Sequence, residues 1–462
     1  MLNYIWLALI LGAVLIGGWN GQLKEVAEKS LDWANIAVVN IAFMLIGVMA
    51  LWLGIMRLAE RAGLVALLAR VLGPVMRLIF PEVPVGHPAM GSMLMNIAAN
   101  MLGLGNAATP LGLRAMRDLE SLNPRPGTAT NAMCTFLAIN TSGIQLIPVT
   151  AIAILVANKS TNPTAIVGTS IICTACAAVS GVLMAKFLSK LPMFRLAGPE
   201  TNPRPPGVPP VAAATPAAAV ANDKPVVKEA ATLQPLKWWG VAVMAVFLVF
   251  FVLLLWRLIF PLLWPLIFPA SFGLPVPAET LNQGLFVRVV SAVSVLSIPF
   301  LLSAIPLFAI LRRVKVYEEF VDGAKEGFDV AIRIIPYLVA MLVAVGMFRA
   351  AGGIALLSHV LSPVLSLVGF PPDLVPMVLV RPLSGSGSLG FFTELVKQFG
   401  PDSLIARMAG TIFGSTETTF YVLAVYFGSV AVRRTRHALL AGLTADFVSV
   451  VVAFYVCRIM FA

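Results

Sequence analysis

The strongest constraint on this chain is the recurrence of apolar runs long enough to cross a bilayer, which takes about 20 residues of helix. They occupy 3–18, 36–56, 131–157, 165–189, 238–263, 286–311, 334–348, 404–431 and 438–460. The runs are continuously apolar instead of alternating, so helices fit and a membrane β-barrel does not. Only 11% of the residues are charged, against about 25% in a soluble domain. The chain is therefore expected to be an all-α integral membrane protein, with the lipid bilayer as its first partner. Its opening run lacks a basic flank and a small-residue cleavage site, and reads as a retained helix rather than a secretory signal.

The formal charge of +11 raises nucleic acid as a partner, but the distribution excludes it. Basic residues collect at run ends, as in Lys186, Lys190 and Arg195, in Arg312, Arg313 and Lys315, and in Arg433, Arg434 and Arg436. That is the pattern of the positive-inside rule. Cys134, Cys173, Cys176 and Cys457 all lie in apolar runs, which argues against a secreted disulfide framework. Cys173 and Cys176 form a C-x-x-C without other ligands nearby, and small-residue helix packing accounts for them. His87, His359 and His437 sit at run edges, in surface or interfacial positions. No nucleophile–base constellation, Walker motif or haem signature is present. The expectation is a protein that is not an enzyme, with no catalytic residues, cofactor or metal.

Between about 196 and 236 the composition shifts to Pro, Ala and polar residues, the signature of an extended or disordered linker. It separates residues 1–195 from 237–462, and the two parts share an order of motifs. Gly54-Ile-Met-Arg57 recurs as Gly346-Met-Phe-Arg349, and Phe80-Pro81 as Phe370-Pro371. Two segments, 88–113 and 376–400, are too rich in Gly, Asn and Ser for plain spanning helices and read as re-entrant hairpins. Each precedes an apolar run with a polar break, Asn140-Thr-Ser-Gly143 in one and Ser415-Thr-Glu-Thr-Thr419 in the other. The stretches 64–79 and 354–369 have apolar residues at helical spacing, interrupted by Pro74 and Pro363. They read as interfacial helices, a short tilted span being the alternative.

Charge sets orientation. Run 131–157 follows Arg114, Arg117 and Arg125, whereas its counterpart 404–431 precedes Arg433, Arg434 and Arg436. Matching segments thus run in opposite directions: two inverted repeats joined by a cytoplasmic Pro/Ala-rich linker, with the C-terminus outside. Inverted repeats place interrupted helices, and with them a binding site, near the bilayer midplane.

Polar groups at that depth need an explanation, because a central charge costs about 2.5–3.5 kcal/mol on insertion scales. Glu417 is either a substrate, proton or cation contact or half of an ion pair with Arg381 or Arg407. The candidate substrate-binding set is Asn96, Asn100, Asn106, Asn140, Thr141 and Ser142 from the first half. From the second come Ser384, Ser386, Ser388, Ser415, Thr416, Glu417 and Thr418. Interhelical packing through amides and small residues is the other account of the set. Asp446 either shares a proton pathway or pairs with a neighbouring helix.

The segment Asn96-Ile-Ala-Ala-Asn-Met-Leu-Gly-Leu-Gly-Asn-Ala-Ala-Thr-Pro-Leu-Gly112 resembles the spore maturation A proteins. Arg381-Pro-Leu-Ser-Gly-Ser-Gly-Ser-Leu-Gly390, with Gly414-Ser-Thr-Glu-Thr-Thr-Phe-Tyr421, resembles the spore maturation B proteins. Both groups belong to the nucleoside-recognition "gate" domains, similar to parts of concentrative nucleoside transporters and of ferrous-iron transport protein B. The resemblance implies a fused membrane carrier for a small polar solute, nucleoside-like or otherwise, in a bacterial cytoplasmic membrane. A flippase-like carrier of a cell-envelope intermediate and a non-transporting spore-maturation-type scaffold are the alternatives. A homo-oligomer is compatible with each.

Overall fold

The computed structural model describes residues 2–84, 86–103, 105–194, 236–261, 283–353, 355–356 and 369–461. Almost all of the expected linker, and nearly all of 354–369 with His359, lie outside the described residues, as does the side chain of Asn106. Among the described residues regular structure is helical, and one β-bridge pairs Thr128 with Arg434.

Helices α1 (Leu2–Trp19) and α2 (Leu23–Asn35) lead through a π-helical turn, Ile36–Ala42, into α3 (Phe43–Arg61). After α3, α4 (Leu64–Ile79) turns away by 69°. Gly63 makes that corner with φ +77°, a backbone conformation costly for any other residue. A helical hairpin follows, α5 (Pro88–Met101) and α6 (Gly105–Glu120), with His87 capping α5 and Pro88 at its first position. The run 131–157 is split into α7 (Asn131–Thr141) and α8 (Val149–Ala157), and α9 (Ile166–Lys190) completes this part.

From residue 236 onward come α10 (Trp238–Ile259), α11 (Leu285–Leu311) and the long α12 (Val316–Ala350), which takes in run 334–348 and starts well before it. A second hairpin pairs α13 (Val375–Val380) with α14 (Gly385–Phe399). Run 404–431 is likewise split, into α15 (Leu404–Gly414) and α16 (Thr419–Gly428), before α17 (Ala438–Phe461). Helices α9, α10, α11 and α17 have 25, 22, 27 and 24 residues, so each exceeds about 30 Å at 1.5 Å per residue. This is an all-α, multi-spanning membrane fold with a bent helix pair and duplicated elements.

Corresponding helices from the two parts pack against each other in antiparallel pairs. Between α3 and α12 the contact is through glycine. A side chain on Gly323 would meet Leu53 O at 2.6 Å, and one on Gly327 would meet Met49 O at 2.6 Å. Small residues four apart let two backbones approach, which drives association where lipid supplies no hydrophobic difference. Arg57 and Arg61 at the end of α3 then pair with Glu319 near the start of α12, at 3.1 and 3.2 Å. Helices α9 and α17 repeat the pattern, with Gly181 against Ala445 and Ala185 clustered with Ala441. Cys173, Cys134 and Cys457 are buried among the packed helices.

The split runs also cross head to tail. At one end Ala129 N donates to Arg434 O at 3.0 Å and Arg433 N to Gly127 O at 2.9 Å. At the other, Ser160 Oγ and Thr161 N donate to the Asp402 carboxylate at 2.6 and 2.9 Å. His437, expected at an interface, is instead fully buried edge-on to Phe194. Its neighbour Arg436 donates to the carbonyls of Ala129 and Phe194, and this pulls the segment under the end of α9.

Candidate functional site

Breaking a helix inside a membrane frees backbone groups that have no water to turn to, so neighbouring groups must satisfy them. Most of the polar residues at the breaks do that work. Thr141 Oγ1 donates to Ala138 O at 3.0 Å, Ser142 Oγ to Ile139 O at 2.6 Å, and Asn140 Nδ2 to Phe136 O at 2.9 Å. In the second break Ser415 Oγ donates to Thr411 O at 2.6 Å and Thr416 Oγ1 to Ile412 O at 2.7 Å. Thr174 on α9 lies 2.9 and 2.8 Å from Ser142 O and Gly143 O, its single proton serving either.

The breaks meet one another and the hairpin tips. Glu417 N donates to Thr141 O at 3.0 Å, and a Cβ on Gly143 would stand 3.0 Å from the Thr416 carbonyl carbon. Gly143 has φ +56°, so glycine is needed there for conformation and for space. Leu146 N donates to Met101 O at the first hairpin tip, and Phe420 N to Pro382 O at the second, both at 3.0 Å. Four irregular backbone segments thus converge on one region.

A cavity of about 220 Å³ opens there, lined by Gln145, Pro148, Thr150 and Ala151 on one side and by Arg381, Gly385, Phe413, Gly414, Glu417 and Thr418 on the other. Of the described side chains in the predicted set, Glu417 and Thr418 line it. Glu417 is the more accessible charge, its side chain 36% exposed, with Oε1 accepting from Gln145 Nε2 at 3.2 Å. Arg381, the first of its two possible ion-pair partners, stands 4.0 Å away; Arg407 pairs with Asp402 at 3.7 Å instead. Arg381 is held by its own surroundings. Its Nε donates to Thr416 Oγ1 and its Nη2 to Phe413 O, both at 3.0 Å, Nη2 also reaches Thr416 O, and the guanidinium lies over the Phe413 ring.

The first-half amides form a separate network, in which the buried Asn96 Oδ1 has no partner among the described residues. Asn100 Nδ2 donates to Asn140 Oδ1 at 2.9 Å, Tyr426 OH reaches the same oxygen at 3.4 Å, and Asn96 Nδ2 donates to Ala108 O at 2.8 Å. Ser384 caps α14 by accepting from Gly387 N at 2.9 Å, Ser386 lies 3.3 Å from it, and Ser388 Oγ turns back to Gly385 O at 2.9 Å. Asp446 accepts from Thr419 Oγ1 at 2.5 Å, so its neighbour is a helix hydroxyl; its other oxygen has no partner among the described residues. No group of three metal-ligating side chains occurs among the described residues.

Two residues central to the cavity, Arg381 and Gln145, stood outside the predicted set. Arg381 had a signal, a lone arginine opening the Ser-Gly repeat. Gln145 had only its place one turn beyond the first break.

A family model described as nucleoside recognition, the Gate domain, matches residues 42–191 and 331–433, together more than half of the chain. Spore maturation protein B of Bacillus subtilis (strain 168) is 42% identical over 174 residues, 38% of this chain and 98% of that protein. Spore maturation protein A of the same organism is 42% identical over 187 residues, 40% of this chain and 95% of that protein. Inner membrane protein YjiG of Escherichia coli (strain K12) is 29% identical over 84 residues, 18% of this chain and 55% of its own length. No solved structure matches. With its split helices, paired hairpins and near-complete coverage of both relatives in one polypeptide, the chain belongs to the nucleoside-recognition gate family as a fused spore maturation A/B-like membrane protein.

Proposed function

We propose that this protein is a secondary carrier that moves a small polar solute through a site between two inverted repeats, residues 1–195 and 237–462, joined by a cytoplasmic linker. The observation that carries the reading is the crossing of two broken helices, tied head to tail at both ends, at a cavity that holds Glu417 and Arg381. Antiparallel pairing of α3 with α12 and of α9 with α17 supports the inversion, because inverted repeats related by an axis in the membrane plane must run their counterparts in opposite directions. The bend between α3 and α4 supports an interfacial position for α4. A bacterial inner membrane is the proposed location, supported by the name of the YjiG relative.

In this reading, rocking of one repeat against the other exposes the cavity to each side in turn, and Glu417 recognises charge or couples an ion. The amide network of Asn96, Asn100 and Asn140 belongs to the pathway as the wall that changes when the repeats move, and Asn106 is assigned to the same pathway from its sequence position. The hydroxyls of Thr141, Ser142, Ser384, Ser386, Ser388, Ser415, Thr416 and Thr418 hold the broken backbone in the shape the site requires.

The test is Glu417→Gln in reconstituted vesicles. Uptake of whatever solute the wild-type protein carries should fall at least tenfold with folding and insertion intact. An unchanged rate removes Glu417 from the mechanism.

A further inference from the structure

The cavity holds one buried positive group and one accessible negative group, and their arrangement narrows what it accepts. Arg381 is 5% exposed, and its Nε and Nη2 are engaged by Thr416 and Phe413. Its Nη1 has no acceptor among the described residues and lies 3.7 Å from where a Cβ on Gly385 would stand, beside the cavity. At the same place α14 begins. Ser384 takes up the N–H groups of Gly387 and Ser388, and those of Gly385 and Ser386, the first two of a 15-residue helix, have no acceptor among the described residues. Donors and the positive end of a helix dipole therefore converge on one wall, where they suit a pair of anionic oxygens.

Glu417 faces this wall. At 4.0 Å from Arg381 Nη2 it is beyond the about 2.7–2.9 Å of a charge-assisted hydrogen bond, so the two charges are poised near each other without closing the site. Gln145 occupies Oε1, and Oε2 has no hydrogen-bond donor among the described residues. Among the cavity-lining side chains the guanidinium and the carboxylate balance, while the nearby Asp446, hydrogen-bonded to Thr419, lies outside the lining. A ligand with net charge would leave that charge uncompensated at low dielectric, whereas one that is neutral overall and carries both signs adds a partner to each group.

Size points the same way. A cavity of about 220 Å³ falls below the about 300–1,000 Å³ typical of sites for larger ligands. It suits a solute the size of a small amino acid.

Resting on the carrier reading, we propose that the site takes a small zwitterion of the α-amino-acid class, its carboxylate on Arg381 Nη1 and the first turn of α14 and its ammonium on Glu417. The full-length protein, purified in detergent, is titrated calorimetrically with glycine, L-alanine and L-serine, and with methylamine, acetate and uridine as controls. At least one zwitterion should bind about tenfold or more tightly than either single-charge control, each of which forgoes one charged hydrogen bond. Glu417→Gln should abolish that preference while leaving acetate binding unchanged or stronger.

Acetate or methylamine binding as tightly as the zwitterions overturns the proposal, as does no zwitterion binding at all. Vesicle flux separates the two claims. Flux of uridine without zwitterion binding sinks the amino-acid class and leaves the carrier, whereas zwitterion binding without any flux sinks the carrier and leaves the site.

Discussion

At the scale of single residues, the same polar side-chain types do two jobs that composition does not separate. Ser415 and Glu417 are two positions apart, yet the first turns back to its own helix and the second faces the cavity. Asp402 shows how much a single carboxylate can tie together. Burial pushes its pKa up, but donors from Ser160, from the N–H and hydroxyl of Thr161 and the charge of Arg407 outweigh this and lower it from the ordinary 3.8 to about 2. Because the folded-state value is depressed, its stabilisation is complete above about pH 4 and is lost as pH falls through the folded value. Asp402→Asn should therefore destabilise the protein by about 1–2 kcal/mol at neutral pH. In thermal unfolding at a series of pH values, the gap to wild type should close as pH drops from about 4 toward 2; a gap that persists unchanged at the acid end contradicts the assignment.

Among elements, the decisive contact is between α3 and α12, where Gly323 and Gly327 touch backbone rather than flexible side chains. Gly327→Leu should cost about 1–3 kcal/mol or more through overpacking. Gly91 on α5 is a useful contrast, because nothing lies within 4 Å of a Cβ built there. Gly91→Ala should stabilise by up to about 1 kcal/mol, the helix-propensity difference. Thermal unfolding in detergent should move in opposite directions for the two variants, and equal losses would show that helix packing is not what distinguishes these glycines.

For the whole molecule, two relatives that exist as separate proteins are each covered nearly end to end by about two fifths of this chain. The ties at Thr128–Arg434 and Thr161–Asp402 are noncovalent. Residues 1–195 and 237–462 expressed as two polypeptides should consequently copurify from membranes at equal stoichiometry. Failure to associate would mean that covalent continuity, rather than the packed helices, holds the parts together. The inversion itself is checked by cysteine accessibility, which should place the region around residue 200 and the C-terminus on opposite sides of the membrane.

The sequence by itself determined the four long spans and the two places where a helix must break. Each of these follows from local chemistry: apolar length for α9, α10, α11 and α17, and clustered Asn, Thr, Ser and Gly at 140–143 and 415–419. Only the tertiary structure decided which polar groups face open space. Asn100 donates to Asn140, 40 residues away, whereas Arg381, from a hairpin tip, is brought to Glu417 by the crossing of the breaks. Satisfaction of a buried polar group is a property of its partners, and those partners come from distant parts of the chain.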